Sequence, residues 1–274
     1  MRRIPLALGL LLLALPILAA CGSSSTSGGA TTQQNATLNV FAAASLTGAF
    51  GEISKNFETK NPGVEVVFNF AGSQQLAQQI GQGADADVFG SANTTQMNNV
   101  IKSGQIDANA SRVFIKNKLA VIFPKDNPKN ITKLQDIAAP GLRVILADKT
   151  VPAGQYALDF LDKASATADF GADYKANVLK NVISYETDVK QVLSKVRLGE
   201  ADAGIVYTSD ATGDSGAQVN HIDIPLELQT IATYLIASIK GSKHADLAAA
   251  FIDAVFNSGG QAILAKYGFL SINA

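Results

Sequence analysis

The sequence predicts an α/β protein with mostly parallel sheets, and three observations carry that prediction. From Thr37 onward, short apolar runs alternate with segments of helical periodicity. The junctions from strand to helix are built of Gly, Ala, Ser and Pro more than of charged residues. Hydrophobic residues make up 47% of the 274 positions and charged ones 16%, which is ample material for a large core.

The first strand is Leu38-Asn39-Val40-Phe41-Ala42, and Phe50, Ile53 and Phe57 then recur at helical spacing. Asn61-Pro62-Gly63 is a turn, after which Val64, Val66, Phe68 and Phe70 share one face of a second strand. Leu76 and Ile80 mark a short helix that Gly81 and Gly83 end. Val88-Phe89 predicts a strand, Met97, Val100 and Ile101 a helix closed by Gly104, and Lys118 to Phe123 a strand stopped by Pro124. Leu142 to Ala147 predicts a strand, Tyr156 to Lys163 a helix and Val182 to Ser184 another strand. Val189, Val192, Leu193 and Val196 fall at i, i+3, i+4 and i+7 of an amphipathic helix ended by Gly199. Ala203 to Tyr207 is a buried strand and Thr230 to Ile239 a long one. Helices follow at Ala245 to Phe256 and at Gln261 to Lys266.

The N-terminus indicates export. Met1-Arg2-Arg3 is a positive start, and Ile4 to Ala20 is an apolar run interrupted by Pro5 and Pro16, so residues 1–20 are expected to be a signal peptide. Leu18-Ala19-Ala20-Cys21-Gly22 resembles the lipobox of bacterial lipoproteins, which implies that Cys21 is lipidated. The Ser, Thr, Gly and Gln residues that complete 21–36 cannot bury a core and are expected to act as a flexible tether.

Composition excludes several classes. With 22 basic and 23 acidic residues and a net charge of −1, no basic surface for nucleic acid is expected. A single cysteine excludes an intrachain disulfide, an iron–sulfur cluster and a cysteine zinc site, and two histidines leave little for a metal centre. Asp85 and Asp87 fit a capped, solvated turn better than a metal pair. Gly213-Asp214-Ser215-Gly216 imitates the nucleophile segment of trypsin-like serine proteases, but His221 and His244 both lie downstream, where that family has no general base.

What remains is a set of four strand-to-helix entries: Ala43-Ala44-Ser45-Leu46-Thr47, Ala71-Gly72-Ser73, Val151-Pro152-Ala153-Gly154 and Glu186-Thr187-Asp188-Val189. Helix starts present unpaired N–H groups and the positive end of the dipole, so they suit anions. Taken singly, Ser45 and Ser73 fit ordinary N-caps and Tyr207 an ordinary core tyrosine with a satisfied hydroxyl.

Together with Gly83-Ala84-Asp85-Ala86-Asp87-Val88-Phe89, Gly204-Ile205-Val206-Tyr207-Thr208-Ser209-Asp210 and Lys266-Tyr267-Gly268-Phe269, these segments resemble, in order, the periplasmic molybdate-binding proteins of molybdate ABC transporters. The resemblance implies a two-lobed type II periplasmic-binding-protein fold with two crossover hinge strands. Lobe 1 would hold 37–119 and 234–274, and lobe 2 would hold 120–233. It implies an oxyanion held by the hydroxyls of Ser45, Ser73 and Tyr207 and by the N–H groups of Ala153 and Val189. Gly72 stands where some relatives have serine, and Lys190 where many have arginine.

The function so implied is an extracytoplasmic, lipid-anchored, monomeric receptor. It would capture molybdate or tungstate, without cofactor or direct cation ligand, and deliver it to an ABC permease. The alternatives are a receptor for sulfate or another oxyanion and, in another class, an exported hydrolase, for which no nucleophile, base and orienting group can be assembled.

Overall fold

The computed structural model describes residues 35–212 and 217–272. The signal peptide, the Cys21 motif, nearly all of the tether and the Gly213-Asp214-Ser215-Gly216 loop lie outside the described residues. The strands are β1 (Ala36–Ala43), β2 (Val64–Ala71), β3 (Val88–Ser91), β4 (Arg112–Asn117), β5 (Leu119–Pro124), β6 (Val144–Ala147), β7 (Val182–Glu186), β8 (Ala203–Tyr207), β9 (Val219–Asp223) and β10 (Ala232–Ser238). The helices are α1 (Thr47–Lys60), α2 (Ser73–Gly81), α3 (Thr94–Lys102), α4 (Pro152–Ser165), α5 (Tyr174–Lys180), α6 (Val189–Arg197), α7 (Ala245–Phe256) and α8 (Ser258–Lys266).

The strands form two sheets, ordered β2-β1-β3-β10-β4 and β7-β6-β8-β5-β9. They are one plan used twice. In the first, β1 pairs in parallel with β2 and β3, and β10 runs antiparallel to β3 and β4. In the second, β6 pairs in parallel with β7 and β8, and β5 runs antiparallel to β8 and β9. Both sheets are therefore mixed, with every strand but β10 and β5 pointing the same way in its own sheet. Helices cover the faces, as the strand–helix alternation requires.

Those two reversed strands are where the chain changes sheets. Asn117 ends β4 in the first sheet, and two residues later Leu119 pairs with Tyr207 in the second. On the return, Ala232 pairs with Asn117, which sets the two crossings side by side. The Leu119 N–H donates to Gln229 Oε1 at 2.6 Å and ties them together.

Each lobe has an apolar centre. Phe50 of α1 packs against Phe114 of β4 and Phe251 of α7, with ring centroids 5.9 and 5.8 Å apart. In the other, Phe160 of α4 packs edge-on to Tyr174 of α5, whose hydroxyl donates to the Leu134 carbonyl at 2.6 Å. Strands β5 and β8 are buried along their whole length and read as unbroken apolar runs.

Five features differ from expectation. Strands β4 and β9 and helix α5 are additional. β4 and β9 are outer strands in which polar residues interrupt the apolar run, and α5 is only seven residues long. Strand β10 is shorter than the predicted Thr230 to Ile239. Asp87 is not in a solvated turn: it is 2% exposed, and its carboxylate accepts from the Asn39 N–H at 2.7 Å and the Ser242 hydroxyl at 2.5 Å. A buried carboxylate needs such donors, and these are remote in sequence.

Candidate functional site

A small cavity lies at the carboxyl ends of the parallel strands, between the two sheets. Ala43, Ala44 and Ser45 line it after β1, Ala71, Gly72 and Ser73 after β2, and Ala92 after β3. From the other lobe come Val151, Pro152 and Ala153 at the start of α4, Asp188 and Val189 at the start of α6, and Tyr207 at the end of β8. All five residues expected from the sequence, Ser45, Ser73, Ala153, Val189 and Tyr207, thus meet at one place. Open α/β sheets bind ligands at this end of their strands.

Neither serine is an N-cap. Ser73 is the first residue of α2, whose cap is Gly72, and its Oγ accepts from the Ala92 N–H at 3.0 Å. That bond uses a lone pair and leaves the hydroxyl proton to donate. Ser45 sits within the short 3-10 turn Ala44–Leu46 that precedes α1, with its Oγ 2.8 Å from the Tyr234 hydroxyl.

The two amides are free for chemical reasons of their own. In α4, Val151 is the cap and Pro152 the first residue, and the first intrahelical bond is donated by Gln155 to Val151. The Ala153 N–H precedes that ladder. Gly154 allows this helix start to sit close to β6, because a Cβ there would strike the carbonyls of Ala147 and Asp148. In α6, the Asp188 carboxylate accepts from the N–H groups of Lys190 and Gln191, at 2.8 and 3.1 Å. It caps the second and third amides and passes over the first, that of Val189.

Tyr207 is the decisive side chain. It is 1% exposed, and among the described residues its hydroxyl makes no hydrogen bond of ordinary geometry, its polar neighbour being the Tyr234 hydroxyl. A core tyrosine would make such a bond, since a buried unsatisfied hydroxyl costs about 1–3 kcal/mol. Burial, reinforced by the neighbouring Tyr234 and Tyr156 hydroxyls, pushes its pKa well above the usual phenol range, so it stays a proton donor.

The cavity therefore offers hydroxyl protons, backbone amides and helix starts. Among the described residues its one charged lining residue is Asp188, whose Oδ1 caps α6 and whose Oδ2 accepts from Gln191 Nε2 at 2.7 Å. Lys190 turns the other way, its Nζ 2.8 Å from Oδ1 of the fully buried Asp210. Burial raises the Asp210 pKa against the pull of that ammonium.

Residues 38–270 match the family model described as bacterial extracellular solute-binding protein. The chain belongs to that family. Solute-binding proteins are receptors, and this one is not an enzyme. It is 39% identical to the molybdate-binding protein ModA of Mycobacterium tuberculosis over 92% of each chain. Among solved structures it resembles the periplasmic molybdate-binding protein of Azotobacter vinelandii (19% identity, TM-score 0.73, covering 85% of this chain and 98% of that one). It also resembles the sulfate-binding protein SubI of M. tuberculosis (20% identity, TM-score 0.75, covering 87% and 88%). At those identities the two structures support the two-lobed fold alone.

The sequence did not mark Tyr234, whose hydroxyl lies 2.8 Å from Ser45 Oγ and 3.4 Å from Asn117 Nδ2, nor Asn117 itself, nor Gln74, whose Nε2 donates to the Thr187 carbonyl. Tyr234 reads as one more apolar residue of a buried strand, and no local signal marks it.

Proposed function

We propose that this solute-binding protein is an extracytoplasmic receptor that captures molybdate, and tungstate with it, and passes it to an ABC permease. The observation that carries the proposal is the buried Tyr207, whose hydroxyl makes no hydrogen bond of ordinary geometry among the described residues and which lines a cavity of donors. A tetrahedral dianion without protons needs donors on every oxygen and no acceptor. Ser45, Ser73 and Tyr207 would supply hydroxyl protons and Ala153 and Val189 their N–H groups. Helix starts from both lobes would stabilise the negative charge without a cationic side chain in contact. The identity to a molybdate-binding protein over nearly the whole chain favours this reading over sulfate.

The lobes proposed are 37–119 with 234–274, and 120–233, hinged at the paired crossings near Lys118 and Thr230. Two sheets that share no strand, joined by two chain crossings, support that division. A signal peptide over residues 1–20, a lipid on Cys21 and a tether to residue 36 would hold a monomeric receptor at the outer membrane face. The test is a melting curve of the purified protein with and without molybdate. A ligand at 100 times its Kd stabilises the fold by about 2.7 kcal/mol. A saturable rise with molybdate is expected, and no rise at any concentration contradicts the proposal.

A further inference from the structure

The Ser45 hydroxyl is the front end of a buried chain of hydrogen bonds. Its Oγ lies 2.8 Å from the Tyr234 hydroxyl of β10, which in turn lies 3.4 Å from Nδ2 of Asn117 at the end of β4. Asn117 and Tyr234 are fully buried and Ser45 is 5% exposed, so water does not compete for these groups.

The chain has a direction. Asn117 Oδ1 accepts from the Lys118 N–H at 3.0 Å and from the Thr208 hydroxyl at 3.2 Å. A backbone N–H can only donate, so that end of the amide is the oxygen and the other end is the donor. Nδ2 accordingly donates to Ser209 Oγ at 2.8 Å as well as toward Tyr234. Tyr234 keeps its proton, because burial holds its pKa far above the usual phenol range. A phenol oxygen that accepts from Asn117 still has its proton to give, and the relay directs that proton to Ser45 at 2.8 Å. Ser45 then holds an accepted bond on that side, and its own proton turns toward the cavity.

We propose that Asn117 and Tyr234 form a one-way donor relay that fixes Ser45 as a hydrogen-bond donor to the bound oxyanion, which makes Tyr234 a positioning residue for anion recognition. The proposal rests on Ser45 contacting the anion. It also gives the relay a consequence for selectivity. A free serine hydroxyl can donate to a bare oxygen or accept from a protonated one, whereas a serine already receiving a proton on one side disfavours a ligand that carries its own. The relay is rooted at the crossing between sheets, since Asn117 is the last residue of β4 and Thr208 and Ser209 belong to the other lobe.

The experiment is a double-mutant cycle by calorimetry on the purified protein: wild type, Tyr234→Phe, Ser45→Ala and the double variant, each titrated with molybdate and with phosphate. Phenylalanine keeps the edge-on contacts of Tyr234 with Phe114, Tyr207 and Phe269, and unliganded melting curves check that the fold is retained. Ser45→Ala should weaken molybdate about ten- to a hundredfold and Tyr234→Phe about tenfold. The double variant should be within about twofold of Ser45→Ala alone, because the relay acts only through Ser45. Tyr234→Phe should also narrow the preference for molybdate over phosphate, which a purely structural role would leave unchanged. If that variant does not fold, Asn117→Asp reverses the donor at the root, and its loss should likewise vanish in the Ser45→Ala background. Additive losses, or an unaltered Tyr234→Phe, overturn the relay while leaving the cleft assignment standing. An unaltered Ser45→Ala removes Ser45 from the site and takes the relay with it.

Discussion

Gln74 and Thr187 join the two lobes across the cleft: Gln74 Nε2 donates to the Thr187 carbonyl at 2.9 Å. Gln74 belongs to α2 in one lobe, and Thr187 precedes α6 in the other. Gly72 makes the approach possible. A Cβ at position 72 would sit 2.5 Å from the Thr187 carbonyl oxygen and against the Gln74 side chain. Its φ of −60° and ψ of 136° are open to any residue, so the glycine is needed for space and not for conformation.

Gly72→Ser should therefore weaken molybdate binding by about tenfold or more while leaving the unliganded melting temperature unchanged, because open lobes relieve the contact. The added hydroxyl cannot compensate unless Gln74 moves. Small-angle scattering with saturating molybdate should show the variant more expanded than wild type. Equal affinity would mean that the lobes do not close on this contact.

Tyr207→Phe should move binding and stability in opposite directions. Losing a hydrogen bond to a charged ligand costs about 1.5–3 kcal/mol, a ten- to a hundredfold weaker Kd. Removing an unsatisfied buried hydroxyl leaves the empty protein as stable or more so. Calorimetry and unliganded melting curves on one preparation check both, and a large drop in melting temperature would mean that the hydroxyl has a structural partner.

Acid sensitivity should come in part from Asp202. Its side chain is 2% exposed, and Arg143 grips it through Nη2 at 2.7 Å and through its backbone N–H at 2.9 Å. Burial acts to raise the Asp202 pKa, but the hydrogen bonds and charge of Arg143 outweigh it and hold the carboxyl below its ordinary 3.8. A depressed folded pKa gives stability that is present above about pH 3.8 and lost as pH falls through the folded value. Asp202→Asn should lower the melting temperature at neutral pH by about 2–4 °C for each kcal/mol lost, with the gap to wild type closing in acid. A gap that stays constant down to low pH would remove Asp202 from the account.

Cys21→Ser should release the protein from membranes into the soluble fraction with molybdate affinity unchanged. One acyl chain binds membranes only marginally, so stable attachment needs the several chains of a processed lipoprotein. Retention of the variant in washed membranes would contradict a lipid anchor on Cys21.

The strand–helix alternation was legible because β1, β2, β6 and β8 and helices α1 and α6 carry strong periodic patterns. That Ser45, Ser73, Ala153, Val189 and Tyr207 line one cavity was legible through the family resemblance of the short segments after the strand ends, while their contact with the anion is proposed. The support behind these residues was not legible. Asn117, Tyr234 and Ser45 are separated by up to 189 residues in the chain, and only the return of the chain to the first sheet as β10 brings them together. Asp87 looked solvated because its donors, Asn39 and Ser242, come from distant segments. Strands β4 and β9 were hidden by polar residues that suit outer strands, and the space at Gly72 is defined by a carbonyl of the other lobe.

The most direct test of anion recognition by donors alone is a competition titration of molybdate, tungstate, sulfate and phosphate at two pH values. Molybdate and tungstate should bind alike, followed by sulfate, whose shorter oxygen spread would stretch hydrogen bonds from opposing lobes. Phosphate should come last, because its second ionisation lies near ~6 and its remaining proton would be a buried donor without an acceptor, costing about 1–3 kcal/mol. Phosphate should gain on sulfate as pH rises and that proton is lost. Tight phosphate binding at mildly acidic pH, or sulfate binding as tightly as molybdate, would contradict the account.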